Sequence, residues 1–427
     1  MKLRSVLPAA AALALLASCA PAQSGPAAAG GDQTSGTLRV WLFDEANRAP
    51  KEAAVKEAIT EFEAHHSGVR VDVQWVAVED RANKFSGAFN DPSNAPDVAE
   101  FGNTDVASYA QTGALSDLGK DLANWSDGKD LLPSVLDTAK ADGKTYGIPW
   151  FTGIRALYYR TDVFAELGLK PPATLAELTE AAHKIRAAKP DLYGIATGGK
   201  FTYAMLPFVW ANGGEIAKQD NGKWKSTMDS PQARAGVAAY ANLIKDDSCP
   251  PAACANLTGT QSITAFAGGK AGMAIGGDFN RKAVEQGTVK GKYAIVPIPG
   301  TTPNSIAPAF AGGNLLGVFG ASQRRGLAVQ FAELLAGQKY QEKMYTAMGN
   351  LPTLASVQKK VAANDPTLKA FVDTLAAGTK FVPATPAWSK IDSQNVLPTA
   401  VQQIATGGKD VDGALADAVA AMNKNFG

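Results

Sequence analysis

The chain has 427 residues, 46% of them hydrophobic and 19% charged, with a formal net charge of +1. This near-neutral balance supplies no basic surface for nucleic acid or for an anionic membrane, and the apolar content is that of a globular protein. With three histidines and three cysteines in all, the chain lacks the residues for a His- or Cys-rich metal centre, so neither metal nor cofactor is expected.

Lys2 and Arg4 precede an apolar run from Val6 to Ala17. The run is shorter than the about 20 residues of a membrane-spanning helix, and with its basic start and small residues it reads as a secretory signal over 1–18. Leu16-Ala17-Ser18-Cys19 resembles the lipobox of bacterial lipoproteins, in which the cysteine is lipidated and becomes the first mature residue. Cys19 is therefore expected to anchor an extracytoplasmic protein to the cell membrane, at its outer face or in a periplasm. Residues 19–36 contain only small and polar types after that cysteine and read as a flexible tether. Residues 37–427 exceed one compact core and suggest two domains.

Along the body, Leu38–Phe43 is a short apolar strand. In Glu52–His65, Val55, Ala58, Ile59 and Phe62 fall at helical spacing; from Val69 to Trp75 apolar and polar residues alternate, which predicts a strand. Asp97–Phe101 reads as a further strand and Thr104–Gln111 as a helix. Strand and helix in alternation predict an α/β layer with a largely parallel sheet. The pattern resumes with helical stripes at Leu175, Leu178, Ala182 and Ile185, and at Leu327, Phe331, Leu334 and Leu335. Val411, Leu415, Ala418, Val419, Met422 and Phe426 form a last one. These stripes specify packing rather than chemistry. Cys249 and Cys254, an even remainder at close spacing in an exported chain, favour a disulfide, with two free thiols or half of a metal site as alternatives.

Enzyme signatures are missing: there is no Gly-x-Ser-x-Gly elbow, no Gly-x-Gly-x-x-Gly and no complete phosphate-binding loop. Paired carboxylates of a glycoside hydrolase are easily imagined among 40 acidic residues and carry little weight alone. Tyr158-Tyr159 invites a ferric-ion site, but neighbours on a strand point to opposite faces.

A succession of short motifs is more informative. Thr37-Leu38-Arg39-Val40-Trp41 is followed by Pro96-Asp97-Val98, Gly102-Asn103-Thr104-Asp105 and the stretch Tyr109 to Leu115. Then come Asp142 to Trp150, Tyr158 to Phe164, Trp210 to Glu215 and Gly272 to Asp278. In this order and spacing they resemble family 1 extracellular solute-binding proteins, the maltose-binding-protein type of bacterial ABC sugar importers. The resemblance implies an α/β, two-lobed periplasmic-binding-protein-like fold with a hinge and an interlobe ligand cleft. Lobe one would hold 37–148 and 310–350, and lobe two 149–309 and 351–427, with crossings near Gly147–Trp150, Pro308–Gly313 and Asn350. It also implies a non-enzymatic monomer that captures a small oligosaccharide and delivers it to the permease subunits.

A pyranose offers an apolar C–H face and a rim of hydroxyls, so its binder needs flat rings and hydrogen-bonding side chains. By resemblance, Asp44, Glu45, Asn103 and Asp105 face the cleft from lobe one. Trp150, Arg155, Tyr203, Trp210, Asp278, Phe279 and Trp388 do so from lobe two, and Asn314 lies at the return crossing. Maltose-binding relatives often carry a carboxylate where this chain has Gly153, and several carry a tryptophan near Asp278-Phe279. The Gly102–Asp105 and Gly153–Arg155 stretches are most similar to binders of α-glucosides of the maltose or trehalose type. Chito-oligosaccharides are the second expectation, and a secreted glycoside hydrolase the third.

Overall fold

The computed structural model describes residues 32–44, 48–77 and 80–427, of which Asp32–Gly427 form one compact unit; the leader, Cys19 and Glu45 lie outside the described residues. Strands of the two main sheets are numbered here in chain order. The first sheet contains β1 (Gly36–Asp44), β2 (Val69–Ala77), β3 (Val98–Gly102), β4 (Ile148–Gly153) and β9 (Gly312–Val318), in the order β2-β1-β3-β9-β4. The second contains β5 (Arg155–Arg160), β6 (Tyr193–Ala196), β7 (Ala271–Gly277) and β8 (Tyr293–Val296), in the order β8-β5-β7-β6. The chain thus leaves the first sheet at Gly153, enters the second at Arg155, and returns at Gly312.

The expected, largely parallel sheet is corrected to two mixed ones. β1 pairs in parallel with β2 and β3, whereas β9 runs antiparallel to both β3 and β4. In the second sheet β7 pairs in parallel with β6, while β5 runs antiparallel to β7 and β8. In each sheet the reversed strand is the one that arrives directly from the other sheet: β9 begins at Gly312 and β5 at Arg155. Every other strand points its carboxyl end toward those entry points. In an open α/β sheet that is where ligands sit.

Local sequence explains the layers. From Val40 to Phe43, after the exposed Arg39, β1 is buried on both faces and so reads as an unbroken apolar run. Leu38, Val40 and Leu42 pack with Val55, Ala58 and Phe62 of the helix Arg48–His65, while Trp41 and Phe43 pack with Phe85 and Phe101 on the opposite side. β2 is an edge strand, so its alternating Val71, Val73 and Trp75 stay only half-buried. The predicted helical stripes are found as helices Leu175–Ala188, Arg325–Ala336 and Val411–Phe426. Thr174 and Asp410 cap the first and last of these, each accepting a hydrogen bond from the backbone N–H three residues on.

Candidate functional site

A cleft of about 440 Å³ opens between the two sheets, within the range of small-molecule sites. From the first sheet it is lined by Phe43 at the end of β1, by the Gly102–Asp105 turn after β3, by Phe151–Gly153 and by Gly312–Asn314. From the second come Arg155, Tyr203, Phe279, Phe310 and Asp392, with Asn350 beside them. A second hollow of about 450 Å³ lies on the outside of the first sheet's layer, lined by Trp125, Glu333 and Tyr340 among others. No group from the second sheet reaches it.

Six of the expected site residues line the cleft: Asn103, Asp105, Arg155, Tyr203, Phe279 and Asn314. Asp44 does not; it is exposed and pairs with Arg48, four residues on, at 3.0 Å. Three tryptophans expected in the cleft are instead packed in the interior. Trp150 is 0% exposed, with Lys51 Nζ 5.1 Å from its ring. The strand bulges at Trp150, so the Trp150 and Phe151 rings lie 5.4 Å apart and Lys51 Nζ is 5.8 Å from the second as well, but it is Phe151 that reaches the cleft. Trp210 belongs to helix Thr202–Ala211, which is apolar all round and therefore buried. Trp388 was expected in a loop; it lies in helix Ala387–Ser393 at 1% exposure and borders a neighbouring hollow of about 380 Å³ that shares Arg81, Thr104, Asp105 and Asp392 with the cleft.

Asp278 is also turned inward, fully buried, while its neighbour Phe279 is 44% exposed. Gly277 makes that arrangement possible: a Cβ there would come within 2.2 Å of the Phe279 ring. Asp278 Oδ1 accepts from the backbone N–H of Ile154 at 2.7 Å, and Oδ2 from that of Leu351 at 2.9 Å. Both donors sit where the chain passes between the sheets, so this carboxylate is a hinge pin. Thr152 donates through its backbone N–H to Leu351 O and through Oγ1 to Gly312 O. Asn103 spends its amide hydrogens on Thr138 Oγ1 and Ala311 O. Burial pushes the Asp278 carboxyl up to about 7, against the two backbone hydrogen bonds and the charge of Arg281.

Arg155 is treated differently. Its guanidinium carbon lies 5.3 Å from the ring centre of Tyr203, 5.6 Å from that of Phe201 and 5.9 Å from those of Phe279 and Phe310. Its Nε is buried without a hydrogen-bond partner. Burial lowers its pKa to about 10, with Tyr203 and Asp278 acting in the opposite direction, so it is still a cation at neutral pH.

Asp105 from the first sheet and Asp392 from the second also meet here, each with its pKa raised by burial. Arg81 lies 3.7 Å from Asp105, and Tyr203 donates its hydroxyl to Asp392 at 3.3 Å. Ser108 and Ser389 hydroxyls meet at 3.1 Å at the adjoining rim. Arg81, Phe151, Phe310 and Asp392 were not singled out from the sequence. Asp392 had a signal, four residues after Trp388 and one helical turn along; Arg81 and Phe310 had none.

A cleft of this kind offers rings, guanidinium donors and carboxylate acceptors to one small molecule; among the described residues no cluster of metal-ligating side chains occurs. Residues 45–342 match the family model described as bacterial extracellular solute-binding protein. A curated relative, the diacetylchitobiose binding protein DasA of Streptomyces coelicolor, is 29% identical over 90% of this chain and 89% of its own. Among solved structures, the sugar-binding protein MalE of Xanthomonas citri superposes with a TM-score of 0.80 at 25% identity, covering 92% of this chain and 97% of that one. A solute-binding protein of an ABC transporter from Thermotoga lettingae, bound with α-D-tagatose, gives 0.77 at 26% identity, over 92% and 100%.

Proposed function

Since this chain belongs to the bacterial extracellular solute-binding proteins, we propose that it is the substrate-binding component of an ABC importer and that its cleft takes a small oligosaccharide. The observation that carries this reading is the Phe279 ring. It is the one large hydrophobic side chain exposed to this degree among the described residues, and it lies in the cleft beside the Arg155 cation. A sugar's C–H face fits the ring, and its hydroxyls can accept from Arg155 and donate to Asp105 and Asp392.

The finer assignment is an α-glucoside of the maltose or trehalose type, drawn from the Gly102–Asp105 and Gly153–Arg155 stretches. A diacetylchitobiose-type ligand is the second reading, favoured by what DasA is named for. No turnover is expected: the cleft binds, and a permease takes the sugar onward. Lobes built on the two sheets, with crossings at Ile154, Ala311 and near Asn350, close on the ligand, which selects the closed state by touching both. Cys19 tethers the monomeric body to the membrane; among the described residues no helix is long and apolar enough to cross one.

Calorimetry and thermal shift against maltose, trehalose and N,N′-diacetylchitobiose test this. A ligand at 100 times its Kd stabilises the native state by about 2.7 kcal/mol. A clear shift with one disaccharide supports the reading and names the class. No shift with these or with a wider set of mono- and oligosaccharides would sink it.

A further inference from the structure

We propose that the Cys249–Cys254 disulfide is a positioning element of the cleft, holding the segment that sets the rings of Phe201 and Tyr203 around Arg155. The inference rests on the cleft being the ligand site. Neither cysteine touches the cleft; both are fully buried behind its wall. The bond closes a short loop whose Cα atoms are 5.9 Å apart, and the chain then runs through Ala255 and Leu257 to helix Gly259–Ala267.

That run is the mould for the segment after β6. A Cβ on Gly198 would meet Leu257 O at 2.1 Å, and one on Gly199 would meet Ala255 O at 2.4 Å. Two backbones therefore lie against each other at a distance only glycine permits. Lys200 N–H donates to Leu257 O at 3.2 Å, and Cys249 Sγ lies 3.8 Å from Thr197 O. From the other side the Tyr240 hydroxyl donates to Gly198 O at 2.9 Å. Gly259 sits directly under the Phe201 ring, and Thr258 caps the helix there through a reciprocal bond pair with Gln261. Residues 197–201 are thus clamped, and helix Thr202–Ala211 starts from that clamp carrying Tyr203. Two of the four rings around Arg155 depend on where this segment lies.

The test is the double variant Cys249→Ala/Cys254→Ala, read first without any ligand. Amide hydrogen exchange at Lys200 should quicken about tenfold or more, while β1 and β3 keep their protection. Binding of whichever of the three disaccharides shifts wild-type melting most should weaken about tenfold at temperatures well below the melt. A lower Tm with unchanged Lys200 exchange and unchanged Kd would overturn the proposal and leave the bond as a plain staple. Should the double variant not fold, Gly259→Ala keeps the disulfide and displaces the Phe201 ring, since its Cβ would lie 2.7 Å from that ring. It should also weaken binding, and an unchanged Kd there would mean that the placement of the Phe201 ring does not govern the cleft, which removes the premise of the proposal. If wild type binds none of the sugars, the proposed ligand has failed, and the Lys200 exchange alone decides the role of the disulfide.

Discussion

At the hinge, Asp278 is fully buried and each of its carboxylate oxygens accepts a backbone hydrogen bond. In the cleft, Arg155 is ringed by four aromatic side chains and its buried Nε is bonded to nothing. A third group, Lys51 with Glu100, resembles the hinge: it is fully buried with a 2.8 Å ion pair. Phe43 N–H and Asn314 Nδ2 fill the remaining acceptor sites of Glu100. Leaving a buried polar atom unpaired costs about 1–3 kcal/mol, more when it is charged. The protein completes its own bonds where two segments must stay together. It leaves them incomplete where a ligand would complete them. The contrast concerns charged groups: the interior indole Nε1 atoms of Trp150, Trp210 and Trp388 and the Ser248 hydroxyl also lack partners, but of these atoms only Arg155 Nε belongs to a charged side chain and lines the cleft.

The comparison can be broken most forcefully at Glu100. Glu100→Ala leaves Lys51 buried without its carboxylate and should cost about 3–5 kcal/mol in denaturant unfolding. A loss below about 1 kcal/mol would mean that the pair is not the support it resembles. Trp388→Ala belongs to the same group, because the ring is interior: about 3–5 kcal/mol of stability lost, with affinity per folded molecule unchanged. Weaker binding at unchanged stability would return Trp388 to the cleft.

Asp278 adds a pH dependence. Its folded pKa of about 7 lies above the ordinary carboxylate value of 3.8, so the native state holds the proton more tightly than the unfolded chain. Its contribution is therefore most favourable below pH 4 and is lost as pH rises toward 7, by up to roughly 4 kcal/mol. The stability of wild type minus that of Asp278→Asn should fall across that interval and level off above it; a flat or rising difference would contradict the burial argument.

The smallest effects on the fold are expected in the cleft. Phe279→Ala should leave the melt within a few degrees of wild type and weaken sugar binding about tenfold, the equivalent of about 1.4 kcal/mol. A normal Kd would remove the ring from the site.

Much of this architecture was legible in the chain. Period-two and period-3.6 stripes located the strands and helices to within a few residues, because burying one face leaves that imprint on composition. The cleft was legible only in part. Local spacing does not say which of Trp150 and Phe151, at a bulge in a strand, or of Asp278 and Phe279, in a short 3-10 turn, meets the ligand. Glycine and proline neighbours suggested loops around Trp388, where the chain instead forms a short helix. Trp210 was a miss with a signal, since Thr202–Ala211 carries no charge on any face.

By itself, then, the sequence determined two α/β layers and an order of motifs shared with a family, because periodicity and local turn chemistry are properties of neighbours along the chain. Tertiary structure decided which strands run backwards, which ring of each adjacent pair faces the cleft, and that Asp278 serves the hinge. It also brought Asp105 to Asp392, and the Cys249–Cys254 loop to Gly198. Those outcomes depend on residues tens to hundreds of positions apart competing for the same space and the same hydrogen bonds, and no local pattern records who wins.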